Sequence, residues 1–450
     1  MRRGEITTRA DVSFWRYSPL LRERLKEARH PLVTLNSLVS EEPEYGSGAR
    51  AVERLSPSQP RYIRITDFGD DGIEPNHEYA SPDPVEESCA LKKDDLLFAR
   101  SGATVGKTYL HEDLTEPAIF AGYCIRFRIA ANVALPRFVY WFTKTRVYEL
   151  WVLATQRPAG QPNINKEEYK TLQLPLPPDT KAQAKLVAAM DAARQKRRAQ
   201  LAEADALLTG LNGFLLTTLT LAPPPKDDRK VFAATVSAAS EQSHLNADYF
   251  HPERILALRA LEAAAQRIPC AKLSEVVAFI RDQIKTPGPN YLSLAHVQSH
   301  TGELVNADEE AAGACFEYKT GDVLFARLRP YLNKVYRAEM DGCCSTEFHV
   351  LRVNNDKQLL PDYLAAILRS SLTLAQTCHM MTGNTHPRLT NEDVIKLVIP
   401  IPKDIRTQEA IATEARRRRA EARRLRAEAE VGWQAAKRWF EEQLLNPTQT

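Results

Sequence analysis

The chain is written twice. The stretch "DLLFAR" at 95–100 returns as "DVLFAR" at 322–327, and the alignment runs on so that Lys107 falls on Lys334 and Tyr109 on Tyr336. Upstream, "YIRITDFGDDGI" at 62–73 pairs with "YLSLAHVQSHTGEL" at 291–304. Downstream, "LPRFVYWF" at 135–142 pairs with "LPDYLAAI" at 360–367, and "QPNINKEEYKTLQLPLP" at 161–177 with "HPRLTNEDVIKLVIPIP" at 386–402. The leading segments agree as well, "FWRYSPLLRERL" at 14–25 with "DYFHPERILAL" at 248–258. A unit of about 225 residues is far too long for a solenoid repeat. It is a duplicated domain, and any fold for this chain must be built twice.

Each copy has the same internal order. Short alternating segments such as "YIRIT", "CIRFRI" and "FHVLRV" predict a mixed α/β domain rich in antiparallel strands, with one short helix after the repeated Leu-Pro. The edges "LPLPPDT" and "IPIPKDI" stop the domain and open a long helix, because proline is tolerated in the first helical turn. From Thr180 to Leu221 apolar residues recur at sevens through Val187, Leu201, Leu208 and Leu215, with Met190, Ala204 and Leu211 between. In the second helix Ala415, Ala422, Ala429 and Ala436 recur at sevens, flanked by Ile411, Leu425 and Trp439. Sustained heptads argue for a coiled coil, here a Leu-rich seam against an Ala-rich one. The expected class is α+β: two homologous mixed α/β domains separated by two long antiparallel coiled-coil helices, with pseudo-two-fold symmetry in one chain. The expected boundaries are a first domain at 1–178, a helix at 179–222, a linker at 223–247, a second domain at 248–403 and a second helix at 404–446.

The stretch "ARSGATVGKTYL" at 99–110 looks like a phosphate-binding loop, since Gly102, Gly106, Lys107 and Thr108 stand nearly in the G-x-x-x-x-G-K-[ST] pattern. One residue too few separates the glycines, and the second copy has Arg329 to Val335, "RPYLNKV", with no glycine at all. A Cβ there would obstruct close backbone approach and positive φ, so ATP is rejected and "GATVGK" is read as a loop between strands.

Bulk properties add exclusions. The 44% hydrophobic and 26% charged content is that of a globular protein, and a net charge of +3 does not by itself announce nucleic acid. The seven cysteines are odd in number and form no C-x-x-C pair, so neither a disulfide framework nor a zinc site is expected. No ligand spacing assigns His244, His251, His296 or His300 to a metal. The charged "MRRGEITTRADVSFW" lacks an apolar core, no run approaches a membrane span, and a cytoplasmic location is expected.

Taken together, "DLLFARSGATVGK" with "GDVLFARLRPYLNK", "AGQPNINKEEYKTLQLPLPPDTKAQ" and "TGNTHPRLTNEDVIKLVIPIPKDIRTQ" resemble the specificity subunits of type I restriction–modification enzymes over nearly the whole chain. One departure is that Ala182 and Thr407 stand before the helix-opening Gln183 and Gln408, where that family commonly has Glu. The resemblance implies a non-catalytic subunit whose two target-recognition domains each read half of an asymmetric, interrupted DNA sequence. It implies double-stranded DNA, two modification (methyltransferase) subunits and restriction (translocase/nuclease) subunits as partners. S-adenosylmethionine, ATP and Mg would then belong to those partners, with no cofactor in this chain. The sequence carries no methyltransferase Gly-rich loop with its Asn/Asp-Pro-Pro-aromatic motif, and no nuclease carboxylate–lysine set. Two other readings compete with it: a self-contained nuclease or NTPase, and a two-headed protein scaffold that has lost DNA reading.

Candidate DNA contacts follow from side-chain chemistry, since Arg, Lys, Asn and Gln reach base edges while Lys and Arg neutralise phosphates. The loop Gln161, Asn163, Asn165 matches Asn384, Thr385, His386, Arg388, each ahead of a strand and stiffened by proline. Arg100 and Arg327 follow an apolar strand in both copies, with Lys107, Arg329 and Lys334 in the next turn. Arg64 faces Ser293, and Arg281 with Lys285 belong to the second copy alone, where different half-sites would be read differently. The basic stretch Arg416 to Arg426 lies on the second long helix and is open to DNA or to partner subunits.

Overall fold

A strand buried on both faces cannot alternate apolar with polar, and "LLFA" at 96–99 shows why. In the computed structural model, strand Leu96–Ala99 sends Leu96 and Phe98 into one core and Leu97 and Ala99 into another. Its copy Val323–Ala326 sends Val323 and Phe325 one way and Leu324 and Ala326 the other. Each sheet is therefore a partition between two apolar clusters, which is why these runs read as continuously hydrophobic. The structure describes residues 11–446 apart from 75–76, 113–114, 158–159, 228–230, 234–246, 286–287, 289, 312 and 384.

By contacts the chain divides into two units. Residues through Ala199 join those from Glu428 onward, and Gln200–Ala427 form the other. The first unit holds a four-stranded antiparallel sheet in the order Glu44–Tyr45, Cys124–Phe127, Leu96–Ala99, Thr108–Leu110. The second repeats it as Val277–Ile280, Phe348–Val353, Val323–Ala326, Val335–Arg337. A parallel pair recurs too, Arg61–Ile63 with Ala118–Phe120 and Tyr291–Leu292 with Cys343–Cys344. In each unit a short antiparallel pair brings the end of the domain back to its start, Leu32–Thr34 on Gln173–Pro175 and Cys270–Lys272 on Val398–Pro400.

After each Leu-Pro stand two helices rather than the one the sequence predicts. Pro136–Phe142 is followed by Arg146–Thr155, and Pro361–Leu368 by Ser371–Thr377. The break falls where Thr145 and Ser370 turn their hydroxyls onto the amides of Tyr148 and Thr373, which caps a new helix.

The long helices are α1, Thr180–Thr218, and α2, Ile405–Leu444. Within the second unit they run antiparallel: Asp205 pairs with Arg426 at 2.7 Å, and Arg418 lies over the Phe214 ring. Ala204 and Leu208 meet Ala422 and Leu425 there in a small apolar cluster, as the heptads require. Trp439 is a correction to the predicted seam, for it is 38% exposed while Trp433 and Phe440 are buried. The step after Ala436 is four residues rather than three, so Phe440 takes the inward place.

Two devices dock domain to helix in both units. Gln183, fully buried, accepts from the Leu135 amide at 2.8 Å and turns its own amide toward the Val133 and Pro177 carbonyls. Gln408 repeats this with the Leu360 amide at 3.0 Å and the carbonyls of Gln358 and Pro402. The second device is a buried carboxylate held by two helix arginines. Asp71 is bound by Arg197 at 2.8 Å and by Arg198 at 3.4 Å, and Glu303 by Arg419 and by Arg423 at 2.6 Å. Among the described residues no helix is long and apolar enough to cross a membrane.

Candidate nucleic-acid interface

In both units the fold brings together two stretches some sixty residues apart. In the first, the turn after Leu96–Ala99 receives the loop at 161–165: the Gly102 amide donates to the Pro162 carbonyl at 3.0 Å, and the Ile164 amide to the Arg100 carbonyl at 2.9 Å. In the second unit the Arg329 amide donates to Pro387 at 2.8 Å and the Leu389 amide to Arg327 at 2.9 Å. The same main-chain frame thus presents Arg100, Gln161 and Asn163 in one unit and Arg327, Arg329, His386 and Arg388 in the other.

Backbone handedness is kept where glycine is not. Gly102 and Gly106 have φ of +76° and +85°, and the aligned Arg329 and Asn333 have φ of +50° and +49°. Contrary to expectation from the lost glycines, positive φ survives in the second copy, tolerated by Asn333 and borne by Arg329. What sets this turn apart from a phosphate cradle is its lysine. The Lys107 ammonium donates to the Phe68 carbonyl at 3.2 Å, and that of Lys334 to the Leu294 carbonyl at 2.7 Å. Both repeated lysines tie the turn to the segment after the first parallel strand.

Arg100 and Arg327 are half-buried, and in both the Nε is enclosed without a hydrogen-bond partner. The Arg100 guanidinium lies 4.8 Å from the centre of the Tyr45 ring, and one Arg327 amino group donates to the Thr346 carbonyl at 3.3 Å. Gln161 is exposed, and its Nε2 sits 3.2 Å from where a Cβ on Gly102 would be. Asn163 is fixed through its main chain, bridged to Ser101 and Arg157. Asn165 also serves the fold: its Oδ1 caps helix Lys166–Lys170, accepting from the Glu168 amide at 2.9 Å while Glu168 accepts from the Asn165 main-chain amide.

Arg388, with a 44% exposed side chain, grips Glu347 with two nitrogens, at 3.0 and 2.8 Å. That grip holds the Glu347 carboxyl below its ordinary value. Thr385 and His386 are exposed, and Asn384 lies outside the described residues. Arg281 and Lys285 are exposed near the turn joining Val277–Ile280 to Gln283–Ile284. Burial pushes His349 down to about 4, and the neighbouring charges of Arg327 and Arg281 add to it, so this imidazole stays neutral between two arginines. Arg64 is paired with Asp67 at 3.0 Å, whereas Ser293 at the matching place bonds Glu309 at 2.5 Å.

The sequence reading missed two neighbours of the first loop pair. Tyr45 is 42% exposed under Arg100, and Arg157, bridged to Asn163, pairs with Glu168 at 2.8 Å while its side chain stays 64% exposed. The second unit has Thr382 where the first has Arg157, bridged to Arg388 as Arg157 is to Asn163, so residue type did not single Arg157 out. The basic stretch on α2 has a third answer. Arg419 and Arg423 hold Glu303 of their own unit, Arg426 pairs with Asp205 of α1, and Arg417 and Arg424 pair within the helix with Glu414 and Glu421.

Comparison with known proteins adds a second, independent line. The family model described as the type I restriction modification DNA specificity domain matches residues 79–202 and again 300–414, together more than half of the chain. The type I restriction enzyme EcoDI specificity subunit of Escherichia coli is 28% identical over 137 residues, which cover 28% of this chain and 29% of that subunit. Among solved structures, the S subunit of a type I system from M. genitalium is 11% identical with a TM-score of 0.45, over 94% of this chain and 97% of that one. The HsdS subunit from Thermoanaerobacter tengcongensis is 15% identical with a TM-score of 0.33, over 92% and 96%.

Proposed function

The chain belongs to the type I restriction–modification DNA specificity family, and on that premise we propose that it reads a bipartite DNA target and carries the partner subunits that act on it. Each unit reads one half of the target through its loop pair. The modification subunits methylate with S-adenosylmethionine, and the restriction subunits use ATP and Mg, while this chain contributes recognition and no chemistry of its own. One observation carries the reading. A single main-chain frame is built twice, and the side chains that it presents differ between copies, with Arg100, Gln161 and Asn163 in one and Arg327, His386 and Arg388 in the other. A shared frame with unlike side chains suits two readers of unlike half-sites, because base contacts specify while the scaffold positions.

The test is titration of the purified chain, alone and with its modification subunits, against labelled duplex DNA at several salt concentrations. A linear fall of log affinity with log salt, together with a methylated motif in two separated halves, supports the proposal. Salt-independent or absent binding in both preparations would assign the chain to protein scaffolding instead.

A further inference from the structure

Away from the loop pairs, the second unit gathers His251, Glu253 and His379. Each offers one ligand atom, and these atoms lie within 4.8 Å of one another. His251 is buried at the start of helix Pro252–Ala264, and Glu253 is in that helix's first turn. His379 follows helix Ser371–Thr377 and brings Nε2 to 3.4 Å from Glu253 Oε2. The two imidazoles lie face to face, with ring centres 3.8 Å apart and planes 4° from parallel. We propose that His251, Glu253 and His379 form a site for a divalent first-row cation, Zn2+ above all, which clips these two helices together.

The chemistry of the donors favours this ion. Two neutral imidazoles and one carboxylate are a zinc set, with water completing the shell. Ligand bonds of about 2.1 Å put tetrahedral ligands roughly 3.4 Å apart. The present spacing therefore needs about an ångström of contraction and a tilt that turns the stacked rings' lone pairs toward one point. The competing contact is weak, since the His251 Nδ1 accepts from the Glu253 amide at a long 3.3 Å. No spacing rule reveals the site, because 126 residues separate Glu253 from His379. His244, the other histidine near this helix in sequence, lies outside the described residues.

The experiment uses the full chain, stripped with a chelator and titrated with Zn2+ against a chromophoric competitor, with Co2+ absorption as the coordination readout. One tight equivalent per chain and a rise in melting temperature are expected. His379→Ala should lose that equivalent, weakening it by at least the roughly 10–100-fold that even an outer partner is worth. His251→Asn should do the same while keeping a side chain able to cap the helix, which guards against loss by misfolding. Absence of a stoichiometric equivalent in the parent chain, or its persistence in both variants with folded circular dichroism spectra, would overturn the site.

Discussion

Arg388 shows how a single side chain decides between reading and bracing. Its guanidinium is already satisfied by Glu347 on two nitrogens, yet nearly half of the side chain is exposed on the loop at 382–388. An exposed ion pair is worth little to stability, so the pair serves better to aim the fork than to hold the fold. Arg388→Ala is expected to weaken binding to the specific duplex by about 1–3 kcal/mol and to relax one position of one half-target. Affinities for a panel of single-base variants check this, and uniform weakening would move Arg388 to a phosphate. Lys107 is the opposite case. Its bond to the Phe68 carbonyl makes it a brace, so Lys107→Ala should cost about 1 kcal/mol in thermal unfolding. The parent chain should show no magnesium-dependent ATP turnover for that substitution to abolish. These assignments were only partly legible in the sequence. Chemical type alone cannot separate Asn165, which caps a helix, from Gln161, exposed at the surface. The partner decides: Glu168 stands three residues on, in a capping box that the sequence spells, whereas Glu347, 41 residues from Arg388, is a partner that only folding supplies.

At the scale of elements the repeat itself was the guide, and it was sound where a residue does the same work in both copies. Gln183 and Gln408 stood out as the residues opening the long helices, and the structure gives the reason: each buried amide ties three strands of backbone together. Asp95 and Asp322 are alike, receiving Arg128 and Arg352 at 2.7 Å. The carboxylate clamp was not legible, because Asp71 and Glu303 differ in type and their arginines lie over a hundred residues away. The clamp also carries a pH signature. Burial alone pushes the Glu303 carboxyl up, but Arg419 and Arg423 override it and leave it below the ordinary 4.5. A carboxyl lowered on folding stabilises above its unfolded value and loses that contribution as pH falls through the folded one. Glu303→Gln should therefore cost about 1.5–3 kcal/mol at neutral pH. The gap between parent and variant melting temperatures should close as pH drops below about 4.5. A gap that stays constant into acid would show that Glu303 acts through packing rather than charge.

For the molecule as a whole, duplication predicts separable reading. Each unit has its own pair of apolar clusters around its own sheet, so a foreign domain can be packed into one without disturbing the core of the other. The natural cut points follow from the short pair Leu32–Thr34 on Gln173–Pro175, since a transplant of 31–175 carries both strands and closes on itself. The transplant must still fit the helices of its own unit. Asp71 has to meet Arg197 and Arg198, the Trp433 indole has to find the Asp70 carboxylate, and Trp141 has to pack on Trp433. A donor with carboxylates at positions 70 and 71 and an aromatic residue at 141 should therefore melt close to the parent. One lacking the buried carboxylate leaves two arginines uncompensated and should melt lower. In the well-matched exchange the methylated motif should change in one half only, because the frame that presents Arg327, Arg329, His386 and Arg388 is untouched. Sequencing the methylome of cells that express the exchanged chain with its modification subunits decides the matter. A change in both halves from a chain that melts like the parent would mean that the two loop pairs do not read independently.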